Sequence, residues 1–419
     1  MKSVMMVVAL VATGASAAET VQQFLDAAEQ QNVDQKISIE QRNRAAAEFR
    51  QAWTAMLPSL TAQGAYTHNQ YNAEITINPI TMEKVVIIPY DQFDAALRID
   101  LPIIDTTRWF RAMSADLASQ SATLREQVTR DLIRRQVVAA YYGYAAALAV
   151  RESAKKSAGV AVAQLKLMEI RASAGTVTEL EVLRSKAEVA RTRQLIADSD
   201  SLVATTRRAL RTLSGLEPSE EIAQPLDDTR PVAPLEELEA RIENLPAVQA
   251  ADKDREAANR VATSARLALV PTVGGQFTQR FTNATGFQGK AATYVAGINL
   301  TWRLDAPTFM GWGAQDANEA AAALGADRAR LVARDQVNSD WQRLNAALIK
   351  IDAAKAQVEA AQRAAQVAKD RYAAGAATQV EVILAERDVF TAEVSQIQAR
   401  TELATARASL NISAALPLE

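Results

Sequence analysis

The sequence contains no cysteine, and His68 is the only histidine among its 419 residues. Without cysteine there are no disulfides, no thiol catalysis, no cysteine-ligated metals and no lipid-modified N-terminal cysteine. A single histidine provides no histidine metal cluster and no convincing Ser-His-Asp constellation. The sequence therefore predicts no catalytic residue, no metal and no cofactor, and His68 is interpreted as a polar residue of a strand or its rim.

Long apolar runs are also lacking. The most apolar segment runs from Val4 to Ala12, follows Lys2 and precedes Ala15-Ser16-Ala17. It is about half the length of a membrane-spanning helix, and this arrangement is typical of a cleaved secretory signal peptide, which we place at residues 1–17. No other run approaches about 18 apolar residues, so any membrane span must consist of strands.

Glycine and proline are scarce, with 15 and 12 residues, and this scarcity favours long helices over an all-β protein. Acidic and basic residues are interleaved, the net charge is −3, and no basic tract occurs. Nucleic acid is therefore not an expected partner, because its phosphates are bound by clustered basic residues.

An internal duplication organises the chain. The segment from Arg171 to Val182 recurs 200 residues later, and the shared positions include the pairs Gly175 and Gly375, Thr178 and Thr378, and Glu181 and Glu381. Such self-similarity indicates repeated structural units. We predict a first repeat at residues 18–214, a linker at 215–233 and a second repeat at 234–419.

Each repeat contains two predicted strands, at about 57–69 and 93–103 and at about 270–281 and 294–304. Apolar residues alternate with polar ones, which predicts one lipid-facing and one wet face. The predicted wet-face residues are Arg98, Asp100, Asn299, Thr301 and Arg303. A soluble sheet would show the same alternation, but little else in the chain could cover its apolar face. Because bacterial membrane barrels start at about eight strands, several chains must contribute.

Two long helices are predicted at residues 105–173 and 309–374, which contain no proline. At 1.5 Å per residue each would reach roughly 90–100 Å. Gly175 and Gly375 end them, and the chain then returns as an antiparallel helix, so each glycine lies at a hairpin tip. The loop at 69–92 is long and apolar, and we expect it to form a hairpin against the mouth of a barrel.

Several motifs together resemble the TolC-like outer-membrane efflux family over essentially the whole mature chain. They are Leu57-Pro58-Ser59-Leu60, the run from Ile104 to Trp109, Ala140-Tyr141-Tyr142, and the two glycine turns with a Glu-Val pair downstream. The resemblance implies a mainly α protein with a membrane β-barrel. Three chains would contribute twelve strands, and the helical hairpins would form a tunnel in the periplasm. The homotrimer, held in outer-membrane lipids, would bind a periplasmic adaptor protein and an inner-membrane transporter, giving passive exit for efflux or type I secretion.

The same resemblance implies roles for particular residues. Glu181 and Glu381 would line the constriction, and Tyr372 would hold the closed state. The hairpin tips, where the adaptor docks, would comprise Gly175, Thr178, Gly375 and Thr378. The chain departs from the family at Ala377, Leu384 and Arg303. The alternatives are that both glutamates only stabilise helix N-termini and that Tyr372 only packs in a seam. A periplasmic adaptor or other coiled-coil protein of an export complex is the alternative function.

Overall fold

The computed structural model of the chain describes residues 18–78, 80, 83–223 and 228–417. The predicted signal peptide and part of the predicted linker lie outside these residues. The chain divides into two compact units. The helical unit comprises the chain up to Ile39, Glu126–Pro246 and the chain from Arg330 onward, and the sheet unit comprises Glu40–Arg125 and Ala247–Ala329.

The two halves of the chain contain similar elements. The first half has α1 (Val21–Gln31), α2 (Val33–Thr54), β1 (Ser59–His68), β2 (Ala73–Asn78), β3 (Glu83–Ile88), β4 (Asp91–Ile104), α3 (Thr106–Ser173) and α4 (Glu179–Ser214). The second half has α5 (Leu235–Glu239), α6 (Pro246–Arg266), β5 (Thr272–Thr282), β6 (Ala292–Thr301), α7 (Ala306–Ala373) and α8 (Gln379–Ser413), with 3-10 turns at Ile242–Asn244, Leu267–Leu269 and Gly286–Gln288. The predicted fold class, long antiparallel helices with a four-stranded sheet, is confirmed.

No helix in the described part of the chain combines the length and the apolar character that crossing a membrane requires.

The core of the helical unit is built around two tyrosines of α3. Tyr141 and Tyr144 are almost completely buried, and the Tyr141 ring lies 5.7 Å from that of Phe24 on α1. The Tyr141 hydroxyl donates to the carbonyl oxygens of Glu19 and Ala223, at 2.7 and 3.1 Å. A buried tyrosine contributes most when its hydroxyl finds such partners. The Ala140-Tyr141-Tyr142 motif therefore contributes Tyr141 to the hydrophobic core.

The sheet unit contains a four-stranded antiparallel sheet in the order β1-β4-β5-β6. The register pairs Leu60 with Ile99, Ile99 with Phe277, and Phe277 with Ala296. Since side chains alternate between faces, these apolar residues share one face.

That apolar face is open to solvent in the single chain. Its exposed side chains include Leu60 (69%), Phe93 (57%), Leu97 (44%), Ile298 (78%) and Leu300 (68%). On β4 the residues of the opposite face are mostly half-buried. The alternation predicted for β4 is therefore present, and its apolar side has no covering layer among the described residues of the sheet unit.

The connection between β1 and β4 forms a second, two-stranded sheet of β2 and β3. Its register pairs Ile75 with Val85 and Thr76 with Lys84, with irregularities on either side. The expected hairpin in the loop 69–92 is therefore present, while its location at a barrel mouth stays a prediction.

Candidate functional site

Both hairpin tips use the same backbone turn. Gly175 and Gly375 have φ values of +69° and +75°, in the left-handed region where glycine has no Cβ to clash. The backbone N–H after each glycine donates to the carbonyl oxygen of Arg171 or Arg371, at 2.9 and 2.8 Å. This bond satisfies a carbonyl that the ending helix leaves free. The glycines therefore stop α3 and α7 and reverse the chain.

Glu181 and Glu381 cap the helices that begin after these turns. The Thr178 backbone N–H donates to Glu181 Oε2 at 2.9 Å, and that of Thr378 donates to Glu381 Oε1 at 3.0 Å. Both sites are capping boxes, which stabilise a helix start. The hydrogen bonds from the Thr378 backbone and hydroxyl lower the pKa of Glu381 below its ordinary value. Within one chain both carboxylates thus have a capping role, and their role in a throat stays a prediction.

Tyr372 connects the outgoing arms of the two hairpins. Its hydroxyl lies 3.3 Å from Sδ of Met168, a fully buried residue of α3. The guanidinium of Arg171, also on α3, lies 5.5 Å from the centre of the tyrosine ring. Sulfur hydrogen bonds and exposed cation–π contacts are individually weak. Tyr372 thus links α7 to α3, and its role in holding a closed state stays a prediction.

Gln379 is a tip residue that the sequence analysis missed. It is 1% exposed, and its amide Nε2 donates to the Glu181 carbonyl oxygen at 3.0 Å and to the Ser185 hydroxyl. It therefore ties the start of α8 to the start of α4. The corresponding residue of the first repeat is the exposed Glu179. This difference between the repeats is the sequence signal that points to it.

Glu188 is a second missed residue, and it is the most heavily bonded carboxylate near the tips. It lies on α4 and is 9% exposed. One of its oxygens accepts from Arg191 Nε and Nη2 at 2.9 and 2.6 Å, and the other accepts from Arg387 Nε and Nη2 on α8 at 3.0 and 2.6 Å. Burial acts to raise the pKa of Glu188, but these hydrogen bonds outweigh it and hold that pKa below its ordinary value.

The polar face of the sheet contains most of the residues predicted to face water. Arg98 Nε donates to Asp100 Oδ1 at 2.9 Å, and the register places Asn299 and Thr301 on the same face. Arg303 lies beyond the end of β6, and its Nε is 3.9 Å from Oδ2 of Asp305.

A cross-strand ion pair on this polar face was missed by the sequence analysis. Arg280 Nη2 on β5 lies 2.6 Å from Asp94 Oδ1 on β4. Polar and apolar residues alternate irregularly in β5, so the sequence did not predict which face of the sheet Arg280 lies on.

The described residues hold no group of three or more His, Asp or Glu side chains that could bind a metal ion.

The chain is similar to a known protein family and to several solved structures. The family model described as "Outer membrane efflux protein" matches residues 24–216 and 238–415. Among solved structures, a membrane protein from Pseudomonas aeruginosa is 18% identical, with a TM-score of 0.81 over 94% of this chain and 93% of its own. The outer membrane protein VceC from Vibrio cholerae is 17% identical, with a TM-score of 0.80 over 95% and 97%. The MtrE outer membrane channel of Neisseria gonorrhoeae is 17% identical, with a TM-score of 0.73 over 94% and 89%. None of the curated proteins matches the chain. At these identities the likeness to solved structures shows the fold.

Proposed function

The chain belongs to the outer membrane efflux protein family, and from this membership we propose that three copies form one passive channel for the cargo of an inner-membrane pump. Members of the family are non-enzymatic efflux channels of the bacterial outer membrane. They form trimers and work with efflux pumps. The family match therefore selects the channel over the periplasmic adaptor or coiled-coil protein.

The observation that carries the trimer proposal is the open sheet with its uncovered apolar face. Among the described strands, β1 and β6 each have one unpaired edge. Unpaired backbone groups are costly in a membrane, so β6 of one copy would pair with β1 of the next until twelve strands close. The apolar face from Phe93 to Ile103 covers about 33 Å of strand, or about 25 Å after a tilt of about 40°. That height fits the apolar band of an outer-membrane barrel, with lipid as the partner.

The exposed hairpin tips are the proposed docking site for a periplasmic adaptor protein. Gly175, Thr178, Gly375 and Thr378 are all exposed. Leu180 and Leu183, near the start of α4, are each 54% exposed. Exposed apolar side chains beside a polar tip are typical of protein interfaces. Glu181 and Glu381, in three copies each, would line the throat that these tips surround.

Trimer formation through the strands should depend on which face receives a charge. Ala296→Lys places a cation near the middle of the apolar face and should cost about 2–4 kcal/mol. Val295→Lys, its neighbour on the opposite face, should be tolerated because that face is wet. Native mass measurement and membrane fractionation should therefore show a membrane trimer for the wild type and Val295→Lys, with less trimer for Ala296→Lys. A soluble monomer in the wild type would contradict the proposed function.

Tyr372 should control opening without affecting ion selectivity. Tyr372→Phe removes the hydroxyl contact with Met168 Sδ but keeps the ring beneath Arg171. A contact of this strength corresponds to a rise in open probability of about two- to tenfold. Planar-bilayer recordings should show that rise with an unchanged reversal potential, and Tyr294→Phe on the sheet should show neither. Wild-type open probability in Tyr372→Phe would mean that the tyrosine is only a seam residue.

A further inference from the structure

The hairpin of β2 and β3 exposes apolar side chains on both of its faces. Ile75 and Ile77 lie on one face and are 46% and 54% exposed. Val86, whose pairing with Glu74 places it on the other face, is 38% exposed. An isolated two-stranded hairpin is marginally stable in water and gains stability when its apolar face packs against another surface.

Contacts inside the chain fix the base of the hairpin but leave its apolar surface open. The Asn69 backbone N–H donates to the Tyr90 carbonyl oxygen at 2.7 Å, and the Asn69 side chain donates to the Pro89 carbonyl oxygen at 2.9 Å. Strand β3 also contacts the 3-10 turn Gly286–Gln288 between β5 and β6. Phe287 of that turn remains 68% exposed. The hairpin is therefore anchored at the end of the sheet, and this contact leaves apolar surface free.

We propose that the hairpins of three copies pack against one another over the outer mouth of the channel, so that the partner of each hairpin is a second copy of this chain. This inference rests on the proposed trimer. A barrel of twelve strands about 4.8 Å apart and tilted by about 40° has a radius of about 12 Å. Six residues per strand give the hairpin a length of about 20 Å. Each hairpin is thus long enough to reach the axis from the rim.

An ion pair on the hairpin argues against lipid as the partner. Lys84 Nζ lies 3.3 Å from Glu74 Oε2. A charged pair is costly in the hydrocarbon layer but is hydrated at a wet channel mouth. The face with Glu74 and Lys84 can therefore meet water while Ile75 and Ile77 pack on the neighbouring hairpin. The result is an apolar constriction at the channel mouth, which resists ion passage by excluding water.

The absence of cysteine makes this contact directly testable. Ile77→Cys in the full-length membrane protein should form a disulfide between two copies on mild oxidation and leave one unpaired chain per trimer. Lys290→Cys, on the exposed connection between β5 and β6, is the matched control and should stay uncross-linked. Deleting residues 74–84 should preserve the trimeric state and raise single-channel conductance by about twofold or more.

The outcomes separate this inference from the proposed function. An intact trimer without Ile77→Cys cross-links, or with equal cross-linking of the control, overturns the hairpin contact alone. Quenching of a fluorophore on residue 77 by spin-labelled lipid would identify lipid as the partner and also overturn it. A wild-type monomer in native mass measurement would overturn the trimer and this inference together.

Discussion

Replacing Glu188 with alanine is expected to destabilise the helical unit by about 2–3 kcal/mol. The substitution leaves the guanidinium groups of Arg191 and Arg387 without the carboxylate that accepts four of their hydrogen bonds. The arginine side chains are 31% and 43% exposed, so water replaces part of what is lost and the cost stays below that of a fully buried pair. The measurement is denaturant unfolding followed by helical circular dichroism.

Two further variants isolate the ion pair from the loss of side-chain volume. Asp198→Asn removes an exposed acid of the same helix and should change the free energy of unfolding by less than about 0.5 kcal/mol. Replacing Glu188 and Arg387 together with leucine should recover part of the stability, because only the partly exposed Arg191 then remains without its carboxylate. Equal stability of Glu188→Ala and Asp198→Asn would show that the pair contributes nothing.

Acid should remove the same contribution. Since folding lowers the pKa of Glu188 below its ordinary value of 4.5, its contribution is present above that value and is lost as the pH falls through the lower folded-state pKa. The difference in unfolding temperature between the wild type and Glu188→Gln should therefore shrink as the pH falls below the ordinary value of 4.5. A difference that does not change with pH would contradict the assignment.

The sequence predicted features that depend on a residue's own neighbours along the chain. The faces of β4 follow from alternation alone, since a strand turns successive side chains to opposite sides. The turns at Gly175 and Gly375 follow from the backbone freedom of glycine. The hairpin in the loop 69–92 was likewise expected, because a long apolar loop does not lie free in water.

Contacts between distant segments were missed for a different reason. Gln379 and Ser185 are 194 residues apart, and Glu188 and Arg387 are 199 apart. Which residues of two packed helices face each other depends on their rotation and axial offset, and a single helix pattern does not contain that information. The Arg280–Asp94 pair depends on strand register in the same way. These polar contacts are visible only once the elements are assembled.

Glu181→Gln combined with Glu381→Gln is expected to lower the cation-to-anion permeability ratio of the channel by about tenfold. In a trimer the two positions would place six carboxylates around a narrow throat, where low-dielectric walls concentrate their field. Glutamine can still accept the backbone bond of a capping box, so the substitution removes charge while keeping the helix starts. The measurement is the reversal potential of single channels in a salt gradient, across planar bilayers.

The control and the pH dependence distinguish a throat from a helix cap. Glu179→Gln removes an exposed acid of α4 that is outside the capping box, and it should leave the reversal potential unchanged. Hydrogen bonds from Thr378 lower the pKa of Glu381, whereas crowding of carboxylates in a trimer would raise it. In either case the cation selectivity is present at neutral pH and falls as acid protonates the carboxylates of the throat. If the double variant keeps the wild-type reversal potential, Glu181 and Glu381 act only as caps. A shift in the double variant that Glu179→Gln does not share would place at least one of the two carboxylates on the ion path.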